Sequence, residues 1–594
     1  MRHLLPALVL VLVATLPGTG PAGAAVYRVG TGPGCSHATV QAAIDAAVAN
    51  PGTDTVLVHR QQSLTGQALV IANPGGPLIL VGGGEGCLDD DPAPGARTAL
   101  LGGQAPVISI LGSSTAAVVL RGLDIRQAQL PGNRGGGGID IAGGPHAGVL
   151  LIDTWVRGNQ AGFGGGIRVF NSATATPASV LLELHGDSQV ASNSATAGNG
   201  GGIDCRQSTI RLFGQSRLWL NSSSGNGGGL HAVDCHLHLA STGQLGAVLA
   251  VNTATGSGGG LHLSGPQARA DVVTVDPQQP TRLSGNTAGR DGGALSLAGG
   301  AQAAAYDIRI ENNIARGSGG AVSLHDSRGS GSGTHLLLQG TTLGAPAGAN
   351  TCANAESCNL LVGNRAEAAD GTPRPGAAIR IYGEQWQWPR VGATLRGTRL
   401  RGNTGASLVY FSHDFGQFAI DGGVIDGNTS QGPLLHAPGE FNSVVVSAST
   451  LASNQVATGE AVLRGRGICN LINYDGSHLY RSIVWQPGRQ VLNVTAGATT
   501  AACFEHLLLH PQAGLPPSPS HRVADPRFLD AAGADFRLRQ DSPALDAAPA
   551  QPANSTRDRR PRVIDLPWIV DTGGPQDLGA YELTDDTLFR NGFQ

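Results

Sequence analysis

The chain of 594 residues contains no lysine, so all 38 of its basic residues are arginine. Charged residues make up 13%, about half the usual ~25%. The formal net charge is −4. This balance points to neither nucleic acid nor an anionic membrane as a partner. Aromatic residues are 4%, too few for a large aromatic core. No Cys-x-x-Cys occurs among the eight cysteines, which argues against structural zinc. No cofactor or metal is expected. Past the N-terminus, no apolar run is long enough to cross a bilayer as a helix.

Glycine is abundant instead. It accounts for 90 residues, about twice the usual ~7% share. Much of it sits in a repeated phrase. Asn252 is followed by Thr-Ala-Thr-Gly-Ser-Gly-Gly-Gly and Leu261. Asn286 is followed by Thr-Ala-Gly-Arg-Asp-Gly-Gly-Ala and Leu295. Asn313 is followed by Ile-Ala-Arg-Gly-Ser-Gly-Gly-Ala and Val322. After each glycine cluster the chain alternates, as in Leu261-His262-Leu263, the period of a strand with one buried face. Glycine supplies the left-handed corner at no steric cost, and Asn tolerates that region too.

An apolar-x-x-Asn marker recurs at Asn133, Asn159, Asn193, Asn221, Asn252, Asn286, Asn313, Asn364, Asn403, Asn428 and Asn454. Successive differences are 26, 34, 28, 31, 34, 27, 51, 39, 25 and 26 residues. A period in the range of about 20–50 residues signals a solenoid or propeller. A blade needs four strands and a longer period, whereas each unit here holds about three short strands. The predicted fold is all-β, a right-handed parallel β-helix of about 11 or more coils. Like residues of adjacent coils would stack roughly 4.8 Å apart, with asparagines forming a column at one bend.

The phrase pairing Leu283-x-x-Asn286 with Gly292-Gly293-Ala294-Leu295, and Ile310-x-x-Asn313 with Gly319-Gly320-Ala321-Val322, resembles the repeats of polymorphic outer-membrane proteins. Those are β-helix surface proteins of Gram-negative bacteria. The resemblance covers roughly residues 130–465. It implies the fold and a surface or secreted location, and says little about function. The segments Asp525-Pro526-Arg527-Phe528, Ser542-Pro543-Ala544-Leu545-Asp546 and Asp577-Leu578-Gly579-Ala580-Tyr581-Glu582 resemble the choice-of-anchor Q domain that ends secreted bacterial β-helix proteins. The tail Asn591-Gly592-Phe593-Gln594 is similar to short endings of exported proteins.

Met1-Arg2-His3 and the apolar run Leu4 to Leu16 read as a secretory signal, with Gly23-Ala24-Ala25 as a cleavage site. Ser36 is a natural N-cap for a helix carrying Val40, Ile44 and Val48 on one face. Such a helix would cover the open end of the first coil. The expected division is 1–25 signal peptide, 26–110 cap and first coils, 111–465 repeats, 466–583 final coils and anchor-like region, and 584–594 tail. The 140 residues after Asn454 lack the alternation and aromatic girdles of a membrane barrel. The expected location is therefore secreted or cell-surface, outer-membrane-associated, in a Gram-negative bacterium. Disulfides suit that compartment. Proximity pairs Cys35 with Cys87, Cys205 with Cys235, Cys352 with Cys358, and Cys469 with Cys503.

Chemistry has one candidate place. The outward residue after each glycine cluster is, in order, Asp140, Arg168, Asp204, His231, His262, Ser296, Ser323 and Arg380. In register these would form a ladder, with Asp204, His231 and His262 as consecutive acid–base candidates. Enzymes of this fold that cleave polysaccharides place their sites on an outer strand face. Polar outward residues are ordinary, however, and neither a Gly-His-Gly segment nor clustered aromatics accompany them. Gly135-Gly136-Gly137-Gly138-Ile139-Asp140 begins like a calcium-binding nonapeptide, but calcium rolls need that unit every nine residues. Asp89 to Asp91 reads as a loop beside Cys87. The expected role is a non-catalytic, adhesin-like binding or structural protein. Its partner would be a polysaccharide or a host or cell-surface protein. The alternative is a polysaccharide lyase or glycoside hydrolase acting around Asp204, His231 and His262.

Overall fold

A computed structural model describes residues 23–581, except 61–63, 91, 113–115, 144–147, 172–179, 242–247, 275–278, 327–332, 341–358, 385–390, 468, 471–474, 496–498 and 550–575. The first 22 residues, Cys352 with Cys358, and the tail after Tyr581 lie outside it. The chain is a parallel β-helix. Its central coils hold four strands, one more than the repeat suggests. One turn runs Leu230–Val233, His236–Ser241, Val248–Ala250 and Thr253–Ala254 before the next begins at Leu261–Ser264. The first strands of all coils form a 14-stranded sheet, and the two-residue fourth strands form a 10-stranded one. The second and third strands form two ladders joined into a 30-stranded sheet. The long strand Asp475–Trp485 joins them by pairing with both Ser443–Ser447 and Thr450–Ala452.

Inward residues stack column upon column. Ile203, Leu230, Leu261, Leu295 and Val322 are consecutive register partners, and all are buried. Each such side chain contributes roughly 1.5–3 kcal/mol of burial. The lumen narrows at the fourth strand, where inward positions are small, as at Ala195, Ala254 and Ala288. The glycine corner explains why. A Cβ at Gly259 would lie 2.4 Å from the Gly293 carbonyl oxygen, and Gly258 has φ +71°.

Asparagines from Asn159 to Asn454 form a continuous ladder, buried as far as Asn428 and half-buried at Asn454. Asn252 Nδ2 donates to Asn286 Oδ1 at 3.0 Å and to the Leu218 carbonyl at 3.0 Å. Its backbone N–H also donates to Asn286 Oδ1, at 3.0 Å. The side chain thus stitches three coils and leaves no amide group unused. The left-handed residue is not the asparagine but the one before it, among them Ser192, Leu220, Val251, Asn312 and Ser453. Asn133 is a correction, because it lies exposed in a turn. Register pairs Val156 with Ile125, so the position equivalent to Asn159 is Ala128. The Ala128 N–H donates to Asn159 Oδ1 at 3.1 Å. Leu130-Pro131-Gly132-Asn133 reproduces the marker outside the column. The long interval before Asn364 leaves the ladder unbroken, since Asn313 Nδ2 donates to Asn364 Oδ1 at 2.9 Å.

The single α-helix among the described residues, Val40–Ala49, buries Val40, Ala43, Ile44 and Ala47 against the first coil. Its N-cap is Thr39, whose Oγ1 accepts from Ala42 N at 3.2 Å. Ser36 instead accepts from Arg28 N at 2.8 Å. Disulfides join Cys35–Cys87, Cys205–Cys235 and Cys469–Cys503. The second lies buried in the lumen, 30 residues apart, and ties one coil to the next.

The final segment docks on the side of the solenoid. An antiparallel hairpin, Phe528–Asp530 with Asp535–Leu538, joins Ala544, Leu578, Ala580 and Tyr581 in a second core. Its partners are the outward Val424, Ile483 and Leu508 of the last coils. Gly579, at φ +95°, donates its N–H to the Arg481 carbonyl at 3.0 Å. A Cβ there would lie 2.7 Å from Thr450 Oγ1.

Candidate functional site

The outward face of the first sheet carries every residue of the expected ladder in register. Asp140 pairs with Arg168, Arg168 with Asp204, Asp204 with His231, and His231 with His262. Ser296, Ser323 and Arg380 follow, and the column continues through Tyr410, His436 and Arg464. His236 and His238 are on the second sheet, a different face.

Though they point outward, the acid–base candidates are closed to solvent. Asp204, His231 and His262 are 1%, 4% and 8% exposed. His231 Nδ1 donates to Asp204 Oδ1 at 2.6 Å. Arg206 Nε approaches the other carboxylate oxygen at 3.7 Å. The His262 ring stacks on His231, with centroids 5.4 Å apart and planes 6° from parallel. Parallel faces at that distance align no N–H with a ring nitrogen, so no direct hydrogen bond joins the two imidazoles. Among the described residues, the buried His262 Nδ1 has no hydrogen-bond partner. Burial, with the charges of His231 and His325 adding to it, pushes the His262 pKa down to about 3. His262 is therefore neutral at pH 7 and stands as a packed ring. Upstream, Arg168 grips Asp140 with two 2.6 Å hydrogen bonds.

The same face holds residues that sequence reading missed. His325 stacks on Tyr382 at 4.4 Å and 2°. Tyr382 also meets His413 at 5.5 Å, and Tyr410 meets His436 at 5.5 Å. The Arg380 guanidinium lies 5.2 Å from the Tyr382 ring centre. Arg380 also pairs with Asp291 at 3.0 Å, which in turn accepts from Ser318 N at 2.8 Å. The Tyr382 hydroxyl hydrogen-bonds Glu384. His325, Tyr382, Tyr410 and His436 are partly exposed. Burial lowers the His325 and His436 pKa values, as do Arg380 and Arg464 respectively. The expected lack of clustered aromatics is thus overturned. Between the closed histidines and this strip, the outward residues Ser264, Ser296, Ala298 and Ser323 are small.

Among the described residues, no three His, Cys, Asp or Glu side chains converge to hold a metal ion. Nor, among these residues, is any helix long and apolar enough to cross a membrane. The sequence matches no protein-family model and no curated protein.

Proposed function

We propose that this is a secreted or surface-displayed solenoid of a Gram-negative bacterium that binds an extended polysaccharide without cleaving it. One contrast on the first sheet carries the reading. The acid–imidazole pair is shut away at Asp204 and His231, while the strip Tyr382, Tyr410, His325 and His436 stays partly exposed. Amphipathic rings beside an arginine suit hydroxylated, partly charged polymers. Export is supported by the N-terminal apolar run and by three disulfides. Repeats of the polymorphic-outer-membrane-protein type and an anchor-Q-like end from Asp525 onward fit the same reading, with the tail after 583 as a sorting signal.

The test incubates the mature chain, from about Val26, with plant, algal and bacterial polysaccharides. It scores retention on insoluble polymer, new reducing ends and unsaturated uronates. Retention without cleavage, lost in Tyr382→Ala with Tyr410→Ala, is the expected result. Cleavage abolished by His231→Ala would overturn it in favour of the enzyme reading, which rests on the 2.6 Å contact between His231 and Asp204. Neither cleavage nor retention would overturn it in favour of a protein partner or a structural role.

A further inference from the structure

The 10-stranded sheet of fourth strands carries a second surface, independent of the first. Its strands are two residues long and in register, so outward side chains fall on a flat grid. Rungs repeat about every 4.8 Å, and positions two residues apart lie roughly 6.6 Å from each other. Three consecutive rungs place a hydroxyl at both outward positions: Ser194 with Thr196, Ser222 with Ser224, and Thr253 with Thr255. Thr287 begins a fourth. The hydroxyls of Thr253 and Thr255 make no hydrogen bond within the described residues. Those of Thr196 and Ser224 donate to the Ala161 and Gly198 carbonyls, and the Ser222 hydroxyl donates to Ser194 Oγ at 3.2 Å along the grid.

Two further observations set this patch apart. No outward position of these rungs is charged, whereas the next coils place Arg316, Arg365 and Glu367 there. Leu220 and Val251 border the patch in left-handed backbone at φ 56° and 54°. They are 44% and 51% exposed, where other coils use glycine, serine or asparagine. A β-branched residue in that region is strained, and strain kept at an exposed apolar site suggests use rather than packing. The grid is also stiff. Threonine has restricted χ1, and the asparagine ladder lies directly behind it, with Asn221 Nδ2 donating to Asn252 Oδ1 at 3.1 Å.

A face of hydroxyls and methyls, with no charge, amide or aromatic ring, offers a flexible ligand only weak contacts. Those contacts sum only when the ligand is itself rigid and periodic. From this we infer that the Ser194–Thr255 grid binds the surface of ice, an ordered lattice of water that matches uncharged donors and acceptors on a flat grid. A neutral crystalline polysaccharide is the competing solid. The lack of a stacking ring on this face disfavours it.

The experiment measures ice-crystal shaping and inhibition of recrystallisation by the mature chain. Wild type is expected to facet crystals and slow coarsening. Thr253→Asp with Thr255→Asp should raise the effective concentration by on the order of tenfold, since each carboxylate must shed water to meet ice. Gln455→Asp, on the same sheet outside the patch, should change nothing. Circular dichroism and melting of each variant report folding, and Thr255→Asp alone serves if the double variant unfolds. Failure of wild type to shape ice would overturn the inference, as would full activity in the double variant. Adsorption to crystalline cellulose or chitin that this variant abolishes would reassign the grid to a glycan.

Discussion

The imidazoles of His231 and His262 lie face to face, 5.4 Å apart, and only His231 has a carboxylate partner, Asp204. That asymmetry gives the pair a pH signature. With its folded pKa pushed down to about 3, His262 refuses the proton that the unfolded chain accepts near 6.5. Above pH 6.5 the ring is neutral in both states and costs nothing. As pH falls from 6.5 toward 3, the unfolded state binds the extra proton and stability is lost. The loss is about 1.4 kcal/mol per pH unit, or about 2 kcal/mol at pH 5. His262→Phe keeps a flat ring and should flatten that part of the decline. Melting temperatures of both proteins between pH 7 and pH 4 check it, and equal slopes would refute it.

The asparagine ladder makes a prediction with a built-in control. Replacing Asn252 by Ala strands the Asn221 side-chain and backbone N–H groups, which both point at Asn252 Oδ1. It also removes the donor to the Leu218 carbonyl. Buried unmet groups of this kind cost about 1–3 kcal/mol each, so a loss of roughly 2–4 kcal/mol is expected. Asn133→Ala, at an exposed turn, should stay within about 0.5 kcal/mol of wild type. Denaturant melts of the two variants separate a ladder rung from a look-alike.

Much of this architecture was written in the sequence, for a physical reason. A ladder needs the same residue in every coil, so Asn252, Asn286 and Asn313 announce themselves by repetition. The fourth strand, Thr253–Ala254, is too short to show a period of two. The marker failed at Asn133 because it tests four consecutive residues and cannot see that Val156 sits on Ile125. The aromatic strip was illegible because His325, Tyr382 and Tyr410 are far apart in sequence and meet only through register. The docked C-terminal segment did leave a signal. Val424-Ile425 and Ile483-Val484 put apolar residues on both faces of a strand, which a solvated outer face would not require.

Backbone strain beside the ladder can be relieved one residue at a time. Val251 holds φ 54° immediately before Asn252, where Gly285, Gly363, Gly402 and Gly427 serve other coils. A left-handed conformation costs an L-residue roughly 1–2 kcal/mol, and glycine recovers part of that while losing more chain entropy on folding. Val251→Gly should therefore stabilise the protein by about 0.5–1 kcal/mol. A raised denaturation midpoint with an unchanged slope would bear this out. A drop would mean that Val251 packs better than its exposure indicates.

The docked C-terminal segment hangs on a buried ion pair. Arg399 Nε and Nη2 donate to the two oxygens of Asp426 at 2.7 and 2.8 Å. Nη2 also donates to the Ala534 carbonyl at 3.0 Å, and the guanidinium lies 6.0 Å from the Phe536 ring centre. Thus the solenoid holds the hairpin through a cation that itself needs Asp426. Asp426→Ala would take from the buried Arg399 the carboxylate that accepts both of these hydrogen bonds, at a cost of roughly 3–5 kcal/mol. The loss should fall first on the docked segment, because the coils keep their ladder and inward columns. Limited proteolysis should then cut near residue 534 while the central coils resist, and hydrogen exchange should quicken at Phe536, Leu578 and Ala580 before it does at Asn252. Uniform loss of protection along the chain would instead make segment and coils one cooperative unit, with the ion pair acting on the whole solenoid.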